Sequence, residues 1–123
     1  MKNDFFDRLA RYAVERENET VFQNITEDGR EVVTYATFWR EANDLAVFLA
    51  GLGLAPGDRL GLLMEDGPRW GVAFVAGFGA GLVLVPLDPG QGEASLRATV
   101  LDAGCRAIVV SQRFIEAAAG LQQ

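Results

Sequence analysis

The chain has no histidine and one cysteine among its 123 residues. Without histidine no Ser–His–Asp set can be built, and Cys105 has no imidazole to take its proton. A lone cysteine excludes an internal disulfide and fits a reducing compartment. Cys105 therefore reads as a small buried residue entering a strand. Lysine is almost missing too. Lys2 stands with ten arginines scattered singly, and the net charge is −6. Nucleic-acid binding by counterion release, and attachment to an anionic membrane surface, both need clustered cations, so neither is expected. No group of side chains has metal-ligand spacing.

Long apolar runs are scarce. Residues 1–17, MKNDFFDRLARYAVERE, are charged throughout and lack the apolar core of a signal peptide. One stretch, residues 70–87, carries no charge over 18 positions. That is the lower limit for spanning a bilayer core of roughly 30 Å. Gly81 and Pro86 divide it into a helix followed by a strand, so a buried pair is expected and no transmembrane segment. A soluble, cytoplasmic protein follows as the expectation. What the chain does have is ordinary globular material, 50% apolar and 23% charged. A chain of this length buries about two-thirds of its unfolded surface, enough for one core.

Taken in order, Asn3 or Asp4 caps a first helix that aligns Phe5, Phe6, Leu9, Tyr12 and Ala13. Residues 20–25 and 31–34 alternate around Glu27-Asp28-Gly29-Arg30, a hairpin signal. Thr34 is placed to cap a helix from Tyr35 to about Leu52, with Phe38, Ala42, Leu45, Leu49 and Leu52 in one stripe. Gly51 and Gly53 stop it, and Pro56-Gly57-Asp58 turns the chain into a buried strand at 60–64. Pro68 opens a helix through Trp70, Val72, Phe74, Val75 and Phe78, whose Gly71, Ala73, Ala76 and Gly77 permit close packing. The apolar run 82–85 predicts a central strand buried on both faces. A helix over 93–103 stopped by Gly104, a strand at 107–110 and a last helix from a Ser111 cap to about Ala119 complete the order. The fold class is α/β: a helix and a β-hairpin, then βαβαβα with a parallel sheet flanked by helices.

Candidate chemistry is sparse. Gly77-x-Gly79-x-Gly81 precedes a strand, whereas a phosphate-cradling loop follows one, so these glycines serve packing and helix termination. Gly90-x-Gly92 with Ser95 has the right context but the spacing of neither phosphate fingerprint, and no nearby lysine. Asp88 stands at the carboxyl end of a strand, where open α/β sheets place ligands. Between Pro86 and Pro89 its reading is to fix the loop through its own backbone. Glu65-Asp66 ends the first parallel strand in the same way and reads as solvated. No residue is assigned a catalytic, cofactor-binding or metal-binding role.

Four ordered blocks then resemble the amino-terminal part of the adenylate-forming (AMP-binding) superfamily. These are Val33-Thr34-Tyr35-Ala36-Thr37-Phe38, the stretch LGLAPGDRL at 52–60, AGLVLVPLDP at 80–89, and Asp102-Ala103-Gly104-Cys105 followed by Ile108-Val109-Val110. Pro68-Arg69-Trp70 further resembles the long-chain fatty acyl-CoA synthetase branch. The resemblance implies ATP-dependent activation of a carboxylate to an acyl-adenylate and its transfer to CoA, with ATP, Mg and CoA used by a parent enzyme and fatty acid as substrate. It implies that residues 1–123 are a partial N-terminal subdomain ending before the Ser/Thr/Gly-rich phosphate loop. Such a piece holds no cofactor, is inactive alone, and has the remainder of the synthetase as partner, with self-association through exposed apolar surface. The other reading is a free-standing α/β interaction module that assembles with a partner chain.

Overall fold

The computed structural model describes residues 4–121. The cap expected of Asn3, and Gln122-Gln123 at the tail, lie outside them. Helix α1 (Asp4–Glu15) leads into the hairpin of β1 (Thr20–Thr26) and β2 (Gly29–Thr34). Thr26 pairs with Gly29, so Glu27 and Asp28 make a two-residue turn inside the predicted one. Thr34 caps α2 (Tyr35–Gly51) as expected, its hydroxyl oxygen accepting from the Thr37 N–H at 3.3 Å. Phe38, Ala42 and Leu49 are buried along the predicted stripe. Leu52, its last expected member, lies past the helix end and is exposed.

The parallel sheet consists of β3 (Arg59–Leu63), β4 (Val83–Pro86) and β5 (Cys105–Val110) in the order β4-β3-β5. Between them run α3 (Pro68–Gly79) and α4 (Glu93–Ala103). Alternate β3 residues serve two cores. Leu60 and Leu62 meet Leu49 of α2 and Ala73 and Ala76 of α3. Leu63 meets Leu87, Leu96 of α4 and Leu121 on the other face. The hairpin and α1 close a third cluster over α2 and α3, around Leu9, Phe38, Val72 and Val75. Helices therefore cover both faces of the sheet, as the α/β reading requires.

One expectation is corrected. The run at 82–85 was expected to be the central strand, but β3 is the centre and β4 lies at an edge of the three strands. Val83 is 47% exposed, and Pro86, which has no N–H to donate, is tolerated at an edge. An apolar run reports burial of two faces but not how many strands flank it. The tight approach around this strand was legible. A Cβ on Gly77 would sit 2.6 Å from Leu84 Cδ1 and 3.2 Å from Leu60 Cδ2, so α3 lies directly on the sheet there. Gly81 has φ +80°, which allows the chain to turn from α3 into β4.

The end of the chain also departs from expectation. Ser111 does not cap the last helix with its side chain. A single 3₁₀ turn at Gln112–Phe114 intervenes before the short α5 (Ile115–Ala119). The Ser111 hydroxyl is used elsewhere, on Glu65.

Candidate functional site

In open α/β sheets ligands sit outside the carboxyl ends of the strands, where successive connections leave toward opposite faces. Here β3 ends in Glu65-Asp66-Gly67 and turns into α3 on one face, while β5 ends at Ser111 and turns toward α5 on the other. Two bonds bridge the diverging loops. The Ser111 N–H donates to the Leu63 carbonyl at 3.2 Å, and its Oγ donates to Glu65 Oε2 at 2.6 Å. That hydroxyl, the Glu65 backbone N–H and the guanidinium groups of Arg113 and Arg69 hold the Glu65 carboxyl below its ordinary pKa, outweighing slight desolvation. Glu65 is thus a fixed, exposed carboxylate rather than a proton donor. Sequence reasoning took Glu65 as merely solvated. A pairing across 46 residues leaves no local pattern to read.

Asp88 does what its sequence setting implies. Its Oδ1 accepts from the Gly90 N–H at 2.8 Å and its carbonyl from the Gln91 N–H at 3.1 Å. The Gly90 N–H is therefore engaged within the loop. Gly92 opens α4 without a side-chain cap, and Gln91 Nε2 donates to Ser95 Oγ at 3.0 Å. Gly90 and Ser95 thus both take part in bonds within the loop. Among the described residues no three His, Cys, Asp or Glu side chains are placed to hold a metal ion. Cys105 is half-buried against Gly61, and burial raises its thiol pKa, with Arg59 opposing the shift. Burial of this kind keeps the thiolate scarce and lowers the reactivity of the thiol.

Two of the sequence blocks prove to be halves of one clasp at the amino ends of β3 and β4. The Gly57 N–H donates to the Gly81 carbonyl at 2.8 Å, and the Val83 N–H donates to the Asp58 carbonyl at 2.8 Å. Asp58 Oδ2 accepts from the Ala55 N–H at 2.8 Å and lies 3.7 Å from Arg106 Nη1 of β5. Three segments are tied at this end of the sheet, opposite the carboxyl ends of the strands. The bonds these residues make hold the frame together.

Sequence reasoning missed a half-open apolar pocket of about 320 Å³ between α1, the hairpin, α2 and α3. Its walls include Phe5, Tyr12, Phe22, Phe38, Trp70 and Phe74. A signal did exist: of the twelve aromatic residues, only Phe114 lies beyond position 78.

A family model described as AMP-binding enzyme matches residues 9–123. The L-proline–[L-prolyl-carrier protein] ligase of Streptomyces coelicolor is 37% identical over 75 residues, covering 61% of this chain and 14% of the ligase. The long-chain-fatty-acid–CoA ligase of Escherichia coli is 31% identical over 113 residues, covering 90% of this chain and 19% of that enzyme. A solved benzoate CoA ligase from Burkholderia xenovorans superposes with a TM-score of 0.84 at 25% identity, covering 98% of this chain and 24% of its own. The chain thus spans less than a fifth of these two curated relatives.

Proposed function

Because the chain belongs to the AMP-binding enzyme family, we propose that it is the N-terminal part of an ATP-dependent acyl-CoA synthetase. The whole enzyme activates a carboxylate as its adenylate and passes the acyl group to CoA. The observation that carries this reading is the clasp between residues 55–58 and 81–83. It gives two of the family-like blocks one structural purpose, in a chain that matches the family model almost throughout. A long-chain fatty acid is the proposed carboxylate. Pro68-Arg69-Trp70 and the likeness to the Escherichia coli ligase support it.

The residues present do not fit ATP and Mg. The Gly90 N–H is engaged by Asp88, no lysine follows Lys2, and no carboxylate cluster is set for a cation among the described residues. No step of the reaction is assigned to them, and the 123-residue chain is proposed to be inactive alone. Its partner is the remainder of the synthetase. Val47 and Phe48, exposed near the end of α2, and Leu52 just past it support such an apolar contact or self-association in its absence. Among the described residues no helix is long and apolar enough to cross a membrane. The cytoplasm is the proposed compartment.

Pyrophosphate exchange with ATP and a series of fatty acids tests the reading. The chain alone should give no exchange above background, and turnover by it would overturn the assignment of the chemistry to other segments. Reading the coding sequence past Gln123 should reveal a Ser/Thr/Gly-rich loop with a lysine. A stop codon there would favour the interaction-module reading instead.

A further inference from the structure

The chain contains two Asp-Gly bonds, Asp28-Gly29 and Asp66-Gly67, each preceded by a glutamate. An aspartyl side chain can be attacked by the backbone nitrogen of the residue that follows it. Glycine, with no side chain, obstructs that attack least. Both bonds lie in turns, but the fold holds them differently. Asp66-Gly67 is anchored on both sides. Met64 and Pro68 are buried, and Glu65 is held by the Ser111 hydroxyl. The Gly67 carbonyl accepts from the Gly71 N–H at 3.2 Å in the first turn of α3. Asp28-Gly29 lies at the tip of a hairpin that has no third strand beside it among the described residues. Every residue from 25 to 32 is exposed. The Thr26 hydroxyl donates to the Gly29 carbonyl at 3.2 Å, and that bond is itself exposed. The hairpin is gripped only farther from the tip, where Phe22 and Val33 pack against the cluster around Phe38. Opening the tip therefore costs the pairs Thr26–Gly29 and Ile25–Arg30 and uncovers no core side chain.

We propose that Asp28-Gly29 is a modification site, at which aspartate isomerises to isoaspartate through a succinimide ring, and that its anchorage protects Asp66-Gly67. The Gly29 nitrogen attacks Asp28 Cγ. A C–N bond forms, the Cγ–O bond of the carboxylic acid breaks, and its hydroxyl leaves with the amide proton as water. Water then adds back across one of the two ring C–N bonds. Cleavage on the Cγ side restores aspartate. Cleavage on the main-chain side leaves Gly29 joined through the side chain and frees the Asp28 α-carboxylate. No group is oxidised or reduced, and water is the only reagent. The isoaspartyl linkage puts one extra methylene into the backbone of a two-residue turn, whose length sets the register of the strands. The pairing of Thr26 with Gly29 is lost, and the strain passes down the ladder toward Phe22 and Val33. The inference does not depend on the adenylation reading.

Ageing the 123-residue chain in neutral buffer and digesting it with trypsin tests the proposal. Cleavage after Arg16 and Arg30 isolates residues 17–30, and cleavage after Arg59 and Arg69 isolates residues 60–69, so the two bonds are read separately. Isoaspartyl peptides separate by reversed-phase chromatography and are assigned by electron-transfer fragmentation; the succinimide appears one water lighter. In the folded chain isomerisation at Asp28 should run about tenfold faster than at Asp66, because a loop tip opens more readily than an anchored turn. In guanidinium chloride, with no fold to distinguish them, the ratio should collapse toward unity. A ratio that is the same folded and unfolded, a faster reaction at Asp66, or no isomerisation at either bond would overturn the proposal. Asp28→Glu should remove the isomer from residues 17–30, since the longer side chain would have to close a six-membered ring. Its persistence in that variant would place the modification on another residue and sink the assignment. Amide exchange in β1 and β2 of the aged chain should become biphasic, the faster fraction matching the isoaspartate content. Unchanged protection would overturn the effect on the hairpin.

Discussion

Leu62→Ala and Val83→Ala should differ sharply in cost, because one residue lies in the middle of the sheet and the other on its edge. Leu62 is fully buried on β3, between β4 and β5. Truncation to alanine removes three carbons, about 2.4 kcal/mol at roughly 0.8 kcal/mol each. A residual cavity of about 40 Å³ adds roughly 1 kcal/mol, giving about 3–4 kcal/mol in all. Val83 loses two methyl groups from a position already 47% exposed. Half of their transfer energy is about 0.8 kcal/mol. Urea unfolding followed by far-UV circular dichroism reads both. With a slope of about 1.5–2 kcal/mol per molar, Leu62→Ala should lower the midpoint by about 2 M and Val83→Ala by about 0.5 M. The slopes themselves should stay unchanged. A Val83→Ala loss equal to or larger than that of Leu62→Ala would refute the order β4-β3-β5 and restore the run at 82–85 to the centre.

Ser111→Ala should raise the Glu65 pKa toward the ordinary glutamate value, since the Ser111 hydroxyl is the largest cause of its depression. Carboxyl chemical shifts followed through an acid titration measure this. A depressed pKa stabilises the fold above the unfolded-state pKa and loses that effect as pH falls through the folded-state one. The stability gap between wild type and Ser111→Ala should accordingly be present at neutral pH and close in acid; a gap that persists below the Glu65 titration would show that the serine acts in some other way. Cys105 should react slowly with a thiol-exchange reagent at neutral pH, because burial raises its pKa and keeps the thiolate scarce. Its rate should climb only above the pH range in which a free thiol ionises, and a rate at pH 7 matching free cysteine would contradict its placement against Gly61.

What the sequence made legible was local. Thr34 announced a helix start because a hydroxyl before a helix has one good use, the N–H three residues on. Asp88 announced its loop because a short carboxylate between prolines reaches the backbone two residues ahead. Gly77 and Gly81 marked close approach and a turn, and both are confirmed by the room a Cβ would need or the sign of φ. What stayed hidden was non-local. The Glu65–Ser111 bond joins loops that only the sheet brings together, and the serine that looked like a helix cap was engaged by a distant carboxylate. Strand order stayed hidden for the same reason, because periodicity describes faces and not neighbours. The pocket was hidden because an aromatic stripe reads as core whether or not the rings meet in the middle.

The clasp shows how a recognisable motif can serve the frame. A motif can persist in a sequence because it reacts or because it holds, and the two make different demands. Holding requires backbone bonds and tight turns, which is what Gly57, Asp58 and Gly81 provide, at the amino ends of β3 and β4. Reacting requires groups that converge on an open space. At the carboxyl ends of these strands the polar groups are turned on one another: Asp88 on Gly90, Ser111 on Glu65. The clasp halves of two family blocks, residues 55–58 and 81–83, therefore lie where the sheet is assembled, at the opposite end of the strands from where such sheets receive ligands. A frame held at its amino end leaves the carboxyl end of the sheet as the place where converging groups would have to meet.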